Sequence, residues 1–94
     1  MKKLLIFGVI KSLINLRGVD NMSNIDMISV VSSNVESIGY DEGSQILQVR
    51  FLSGSTYIYM NVPLMEFEQL KVAPSVGSYL NRNIKGNYPY QRVG

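Results

Sequence analysis

Hydrophobic and polar positions alternate most cleanly over residues 46–52. There Leu47, Val49 and Phe51 are separated by Gln48 and Arg50, the period-two signature of a half-buried strand. Ser53-Gly54 reads as a two-residue hairpin connection, and residues 55–60, rich in Thr and Tyr, as the returning strand. That turn pairs Leu52 with Ser55, Phe51 with Thr56, Arg50 with Tyr57, Val49 with Ile58, Gln48 with Tyr59 and Leu47 with Met60. One face then collects Leu47, Val49, Phe51, Ile58 and Met60 as core, and the other collects Gln48, Arg50, Tyr57 and Tyr59. Upstream, residues 27–31 are a short apolar stretch and residues 35–40 read as a first strand. Asp41-Glu42-Gly43-Ser44 between them and the hairpin is a turn, with Gly43 placed to tolerate positive φ.

The period changes after Asn61. Pro63 suits the first turn of a helix, and Leu64, Phe67 and Leu70 are spaced for one face of a helix over residues 64–71 that ends at Pro74. Ser75 can cap a second helix carrying Val76, Leu80 and Ile84 at i, i+4 and i+8, with Gly86 as its C-cap. The segment Asn87-Tyr88-Pro89-Tyr90-Gln91-Arg92 is extended, because a residue before proline avoids the helical region. The pattern predicts an α+β fold: a small antiparallel β-meander of three to four strands, then two short helices and an extended C-terminal tail.

Composition narrows the chemistry. At 94 residues and 46% hydrophobic, the chain has room for one domain and enough apolar material for its core. It has no cysteine and no histidine, which excludes disulfides, thiolate nucleophiles and every Ser-His or Cys-His arrangement. Ser32-Ser33 has no base to activate it, Asp41-Glu42 read as a solvated turn, and neither a metal constellation nor a phosphate-loop spacing occurs. No cofactor is expected, and the chain reads as non-enzymatic.

The formal charge of +2 is unevenly spread. Residues 1–21 hold Lys2, Lys3, Lys11 and Arg17 against Asp20, whereas residues 22–94 hold five basic against six acidic residues, a net −1. Met-Lys-Lys followed by the apolar run at residues 4–10 resembles the start of a signal segment, but the run is short, lacks a small-x-small cleavage pattern and is interrupted by Lys11. Arg17-Gly18-Val19 can be encoded by a purine-rich ribosome-binding stretch spaced suitably before Met22. The preferred reading is a leader at residues 1–21, a mis-called start or extension, and a single domain at 22–94. The alternatives are a signal or anchor, an amphipathic membrane-surface helix, and a real structural helix. The expected location is the cytoplasm, away from membranes.

Within the domain, residues 71–94 carry Lys71, Arg82, Lys85 and Arg92 and no acid. Two constellations stand out. Arg50, Tyr57 and Tyr59 share the expected non-core face, where aromatics can stack bases and Arg can meet phosphate; ordinary sheet packing, with a helix or the tail covering that face, is the stronger reading. Tyr79, Asn81, Arg82, Asn83, Lys85, Asn87, Tyr88, Tyr90 and Arg92 interleave phenols, amides and cations; here the plainer alternative is tyrosines anchoring the tail and cations that are merely solvated. Long duplex DNA is not an expected partner, because few cations are available to neutralise phosphates. RNA or a small nucleotide fits better, with a homo-oligomer able to join cationic ends into a composite pocket.

Met27-Ile28-Ser29-Val30-Val31-Ser32-Ser33-Asn34, followed by Val35-Glu36-Ser37-Ile38-Gly39-Tyr40-Asp41, resembles the opening of a KTSC domain. Tyr57-Ile58-Tyr59 is similar to that family's central Tyr-x-Tyr. Val62-Pro63, Ser75-Val76-Gly77-Ser78-Tyr79 and Asn83-Ile84-Lys85-Gly86-Asn87-Tyr88-Pro89-Tyr90 extend the likeness over residues 27–93. The resemblance implies a small unit of the kind found at the C-terminus of some lysyl-tRNA synthetases and as stand-alone bacterial and phage proteins, for which RNA binding is the usual suggestion. Three readings follow: an RNA-binding module, a stand-alone phage-type protein that sequesters a nucleotide or cyclic-nucleotide signal, and a structural adaptor that offers a sheet edge to a partner protein.

Overall fold

A computed structural model describes residues 25–94; the leader assigned to residues 1–21 lies outside the described residues. Five strands, β1 (Met27–Ser29), β2 (Val35–Asp41), β3 (Ile46–Phe51), β4 (Thr56–Tyr59) and β5 (Tyr90–Arg92), form one antiparallel sheet in the order β1-β2-β3-β4-β5. Between β4 and β5 the chain forms α1 (Leu64–Lys71) and α2 (Val76–Tyr79), and α2 runs directly into a π-helical stretch at Leu80–Ile84. The α+β expectation holds, with one revision. The tail is not free, because its backbone pairs with β4 at Tyr57↔Arg92, Ile58↔Gln91 and Tyr59↔Tyr90. No helix among the described residues is long and apolar enough to cross a membrane.

The hairpin register differs from the expected one by a single residue. Leu47 pairs with Tyr59, Gln48 with Ile58, Val49 with Tyr57 and Arg50 with Thr56. The loop has three residues rather than two. Gly54 N–H donates to Phe51 O at 2.9 Å, Phe51 N–H donates to Ser55 O at 2.8 Å, and Gly54 has a φ of 101°. This is a turn closed by a left-handed residue, a conformation glycine adopts at little steric cost. The shift moves every β4 side chain to the opposite face. Tyr57 and Tyr59 therefore join Leu47, Val49 and Phe51, while Ile58 joins Gln48 and Arg50.

A second irregularity serves the same face. Val35 pairs with Phe51 but Ser37 pairs with Arg50, so Glu36 forms a bulge. The extra residue brings Val35 and Ile38, three positions apart, to one side, where both are fully buried. Against this face pack Phe67 and Leu70 of α1 and Val76, Leu80 and Ile84 of the second helical segment. Leu64, expected on the inner stripe, is 39% exposed at the first turn of α1. Ser75 caps α2 as expected, accepting from Ser78 N–H at 3.2 Å. The helix does not continue as α to its end: Lys85 N–H donates to Leu80 O at 2.9 Å, an i→i+5 bond, before Gly86 (φ 85°) turns the chain. In the β2–β3 turn, Asp41 Oδ2 accepts from Ser44 N–H and Oγ–H, and the left-handed residue is Gln45 (φ 58°) rather than Gly43.

Glu66 ties the helical layer to the end of the chain. Its Oε2 accepts from the Tyr79 hydroxyl at 2.6 Å and its Oε1 from the Tyr88 hydroxyl at 3.0 Å. The hydrogen bond to Glu66 is the main cause pushing the Tyr79 phenol up to about 12, followed by burial and the carboxylate's charge. For Tyr88 burial comes first and the Glu66 bond second, also upward.

Two expectations follow. The outer side of Gly39, opposite Gln48, is filled: a Cβ there would lie 2.6 Å from the Asp26 carbonyl oxygen, a backbone atom that cannot step aside alone. Gly39→Ala should cost about 1–3 kcal/mol in urea unfolding and raise amide exchange over residues 27–29. The raised Tyr79 phenol keeps its proton in the folded state after the unfolded chain has begun to lose it near 10. The stability it contributes is thus fully present below pH 10 and is lost as pH rises toward about 12. Urea midpoints measured across that window should fall less steeply for Tyr79→Phe than for the unaltered protein.

Candidate functional site

The inner face of the sheet is longer than the helices that cover it. Leu47, Val49 and Tyr59 lie beneath them, whereas Phe51 and Tyr57, nearer the hairpin end, are only partly covered, and Tyr90, on the edge strand beside Tyr59, is exposed. A groove of about 790 Å³ opens there. Its floor is aromatic: Phe51 meets Tyr57 edge-on at 5.8 Å, and Tyr90 lies 6.0 Å from Tyr57 and 6.1 Å from Tyr59. Neighbouring strands impose this clustering, because opposed or diagonal side chains on one face are within reach of each other.

Two backbone devices build the walls. The loop before β2 is held by Ser32 Oγ, which accepts from Val35 N–H at 3.2 Å, while Leu52 N–H donates to Asn34 O at 2.8 Å and fixes that loop to the hairpin. Asn34 presses against α2 where Gly77 leaves room: a Cβ at Gly77 would sit 2.7 Å from Asn34 Oδ1. On the other side, the turn at Gly86 sets Lys85 Nζ 5.2 Å from the centre of the Phe51 ring, a cation–π contact at the groove's edge. Lys85 is the one charged residue in the lining among the described residues. Burial, with the neighbouring phenols of Tyr57 and Tyr90, pushes the Tyr59 phenol above its ordinary value. Among the described residues the groove thus offers flat apolar rings, hydroxyls and a positive charge, with no carboxylate to oppose an anion.

The residues singled out in sequence separate into five sets. Tyr57, Tyr59, Lys85 and Tyr90 converge in the groove. Arg92 sits opposite Tyr57 on the same face, its Nε–H donating to Gly94 O at 2.9 Å. Arg50 does not belong with the tyrosines: it is exposed on the opposite face, between Ser37 and Thr56. The one-residue register change thus removes Arg50 from Tyr57, and the addition of β5 puts Arg92 beside it. Tyr79 and Tyr88 are spent on Glu66, so they anchor the fold. Asn81 and Arg82 are exposed on the π-helical stretch outside the groove lining, and Asn83 Nδ2–H donates to Tyr79 O at 3.3 Å. Sequence reasoning missed Phe51, assigned wholly to the core, and Asn34. The signal for Phe51 was available: a Ser-Gly pair also fits the end of a three-residue loop. No group of His, Cys, Asp or Glu among the described residues is arranged to hold a metal ion.

Known proteins share this architecture. Residues 31–88 match the KTSC domain. A protein of Tsukamurella paurometabola is 42% identical over 62 residues, which cover 66% of this chain and 92% of that protein. A lysine–tRNA ligase of Trichormus variabilis is 39% identical over 61 residues, 65% of this chain but only 11% of the ligase. The crystal structure of a KTSC domain protein from Yersinia pestis superposes with a TM-score of 0.72 at 31% identity, covering 74% of this chain and 99% of that one. On the extent of the domain match and the agreement of the folds, the chain belongs to the KTSC domain family.

Proposed function

We propose that this chain is a non-enzymatic binding module for RNA or a small phosphate-bearing nucleotide, taken up in the groove beside β5. The observation that carries the reading is the groove's lining: Phe51, Tyr57, Tyr59 and Tyr90 with Lys85, and no acid among the described residues. Aromatic rings stack on any base because every base has a π-face, and a nearby cation pairs with the phosphate. Arg92 on the same face as Tyr57 and the exposed Arg82 extend the positive character beyond the groove. The matching region in the lysine–tRNA ligase, an enzyme whose substrate is an RNA, supports the same direction. A homo-oligomer joined through the cationic C-terminal segments is part of this proposal, and sedimentation equilibrium reads it directly.

Fluorescence anisotropy with single-stranded RNA homopolymers and with mononucleotides tests the reading. Tyr90→Ala should weaken binding by about 1–3 kcal/mol through lost stacking. Lys85→Ala should weaken it and lower the salt slope by about one counterion. Arg50→Ala, on the other face, should leave both unchanged. Affinity that grows with strand length identifies an RNA module, and saturation by a mononucleotide identifies a small-nucleotide binder. Binding of neither, with a partner protein held regardless of Lys85, would identify an adaptor and overturn the proposal.

A further inference from the structure

Six tyrosines occupy the domain, and their hydroxyls are not equivalent. Those of Tyr40, Tyr79 and Tyr88 donate to Val62 O and to the two oxygens of Glu66. Those of Tyr57 and Tyr90 belong to partly or well exposed side chains that water can serve. Tyr59 differs from both groups. It is 3% exposed, it lines the groove, and its hydroxyl has no hydrogen-bond partner among the described residues. A buried polar group without a partner is destabilising and uncommon in native proteins. One placed on the floor of an aromatic groove is explained by a ligand that completes it.

The neighbouring rings limit what that ligand is. Tyr90 lies 6.0 and 6.1 Å from Tyr57 and Tyr59, tilted by 41° and 39°. A second ring between two phenols needs two contacts of about 3.5 Å each, so no base slides between them. Tyr90 is 62% exposed, so a flat ring can lie on its open side and turn an edge toward Tyr59. A phosphate is a poor occupant of the floor, because burying its charge against apolar rings is costly, whereas Lys85 at the edge can hold it near water.

We infer that Tyr59 is the specificity-determining hydrogen-bond donor of the groove, meeting an acceptor on the edge of a nucleobase that stacks on Tyr90 while its phosphate sits at Lys85. The inference rests on the nucleotide-binding reading above and adds to it the group that distinguishes one base from another. Its cost is carried by the unliganded protein, in which this hydroxyl on the groove floor has no protein partner among the described residues.

Tyr59→Phe removes the hydroxyl and keeps the ring. AMP, GMP, CMP, UMP and ribose 5-phosphate are titrated into both proteins, followed by amide NMR shifts, and both are melted without ligand. The unaltered protein should separate the four nucleotides and bind each more tightly than ribose 5-phosphate. The variant should bind the preferred nucleotide about tenfold more weakly, compress the spread among the four, and melt a few degrees higher when unliganded. An unchanged order and affinity in the variant would overturn the inference while leaving the nucleotide-binding reading intact. A lower melting temperature would overturn it too, because the hydroxyl would then have a structural partner. If the unaltered protein binds none of the nucleotides and no RNA homopolymer, both readings fall together.

Discussion

The register of the β3–β4 hairpin decides what this domain presents to its surroundings. Side chains alternate along a strand, so the choice between a two- and a three-residue loop chooses the face for all of β4. With Gly54 left-handed, Tyr57 and Tyr59 lie with Leu47, Val49 and Phe51 on the side that carries the helices. The same step sends Ile58 outward beside Gln48 and Arg50, yet Ile58 is 3% exposed, so the outer face is not simply open. The bulge at Glu36 then matches β2 to this arrangement by bringing Val35 and Ile38 to the inner side together.

On that foundation the helices do two separate jobs. Phe67, Leu70, Val76, Leu80 and Ile84 close the core over one end of the sheet. Glu66, by holding Tyr79 and Tyr88, fixes the segment that leads into β5. What the helices leave uncovered becomes the groove, so its aromatic character is the hydrophobic face of the sheet continued past the core. Packing residues and candidate ligand-binding residues are neighbours on the same strands, and Tyr59 belongs to both groups.

Much of this was legible in the chain. The alternation of Leu47, Val49 and Phe51, the Pro63 start of α1, the Ser75 cap and the turn at Gly86 are local signals, and each has a local outcome. The register was not, because Ser53-Gly54 is compatible with two loops, and placing Ile58 rather than the tyrosines on the core face made the wrong one attractive. The pairing of β5 was not legible either: Tyr90, Gln91 and Arg92 carry no periodic apolar signal and become a strand only because β4 offers an open edge. For the groove, Tyr57 and Tyr59 were singled out with Arg50, and Lys85 and Tyr90 with the C-terminal cluster; that the four line one groove depends on those two long-range facts. Glu66 was not singled out, since a carboxylate on an exposed-looking helix gives no hint of two phenols arriving from 13 and 22 residues away.

The position of β5 has a consequence in time. Its partner β4 leaves the ribosome some thirty residues earlier, and the strands can join only after both helices have been made. A nascent chain that stops short of Tyr90 holds Tyr57 and Tyr59 without their third neighbour and without the strand that brings Arg92 beside them. Such long-range pairings are the slow part of assembly, because the loop between them must be closed before the contact rewards it. The complete aromatic groove is therefore the last feature the growing polypeptide acquires, and a copy truncated before β5 lacks it.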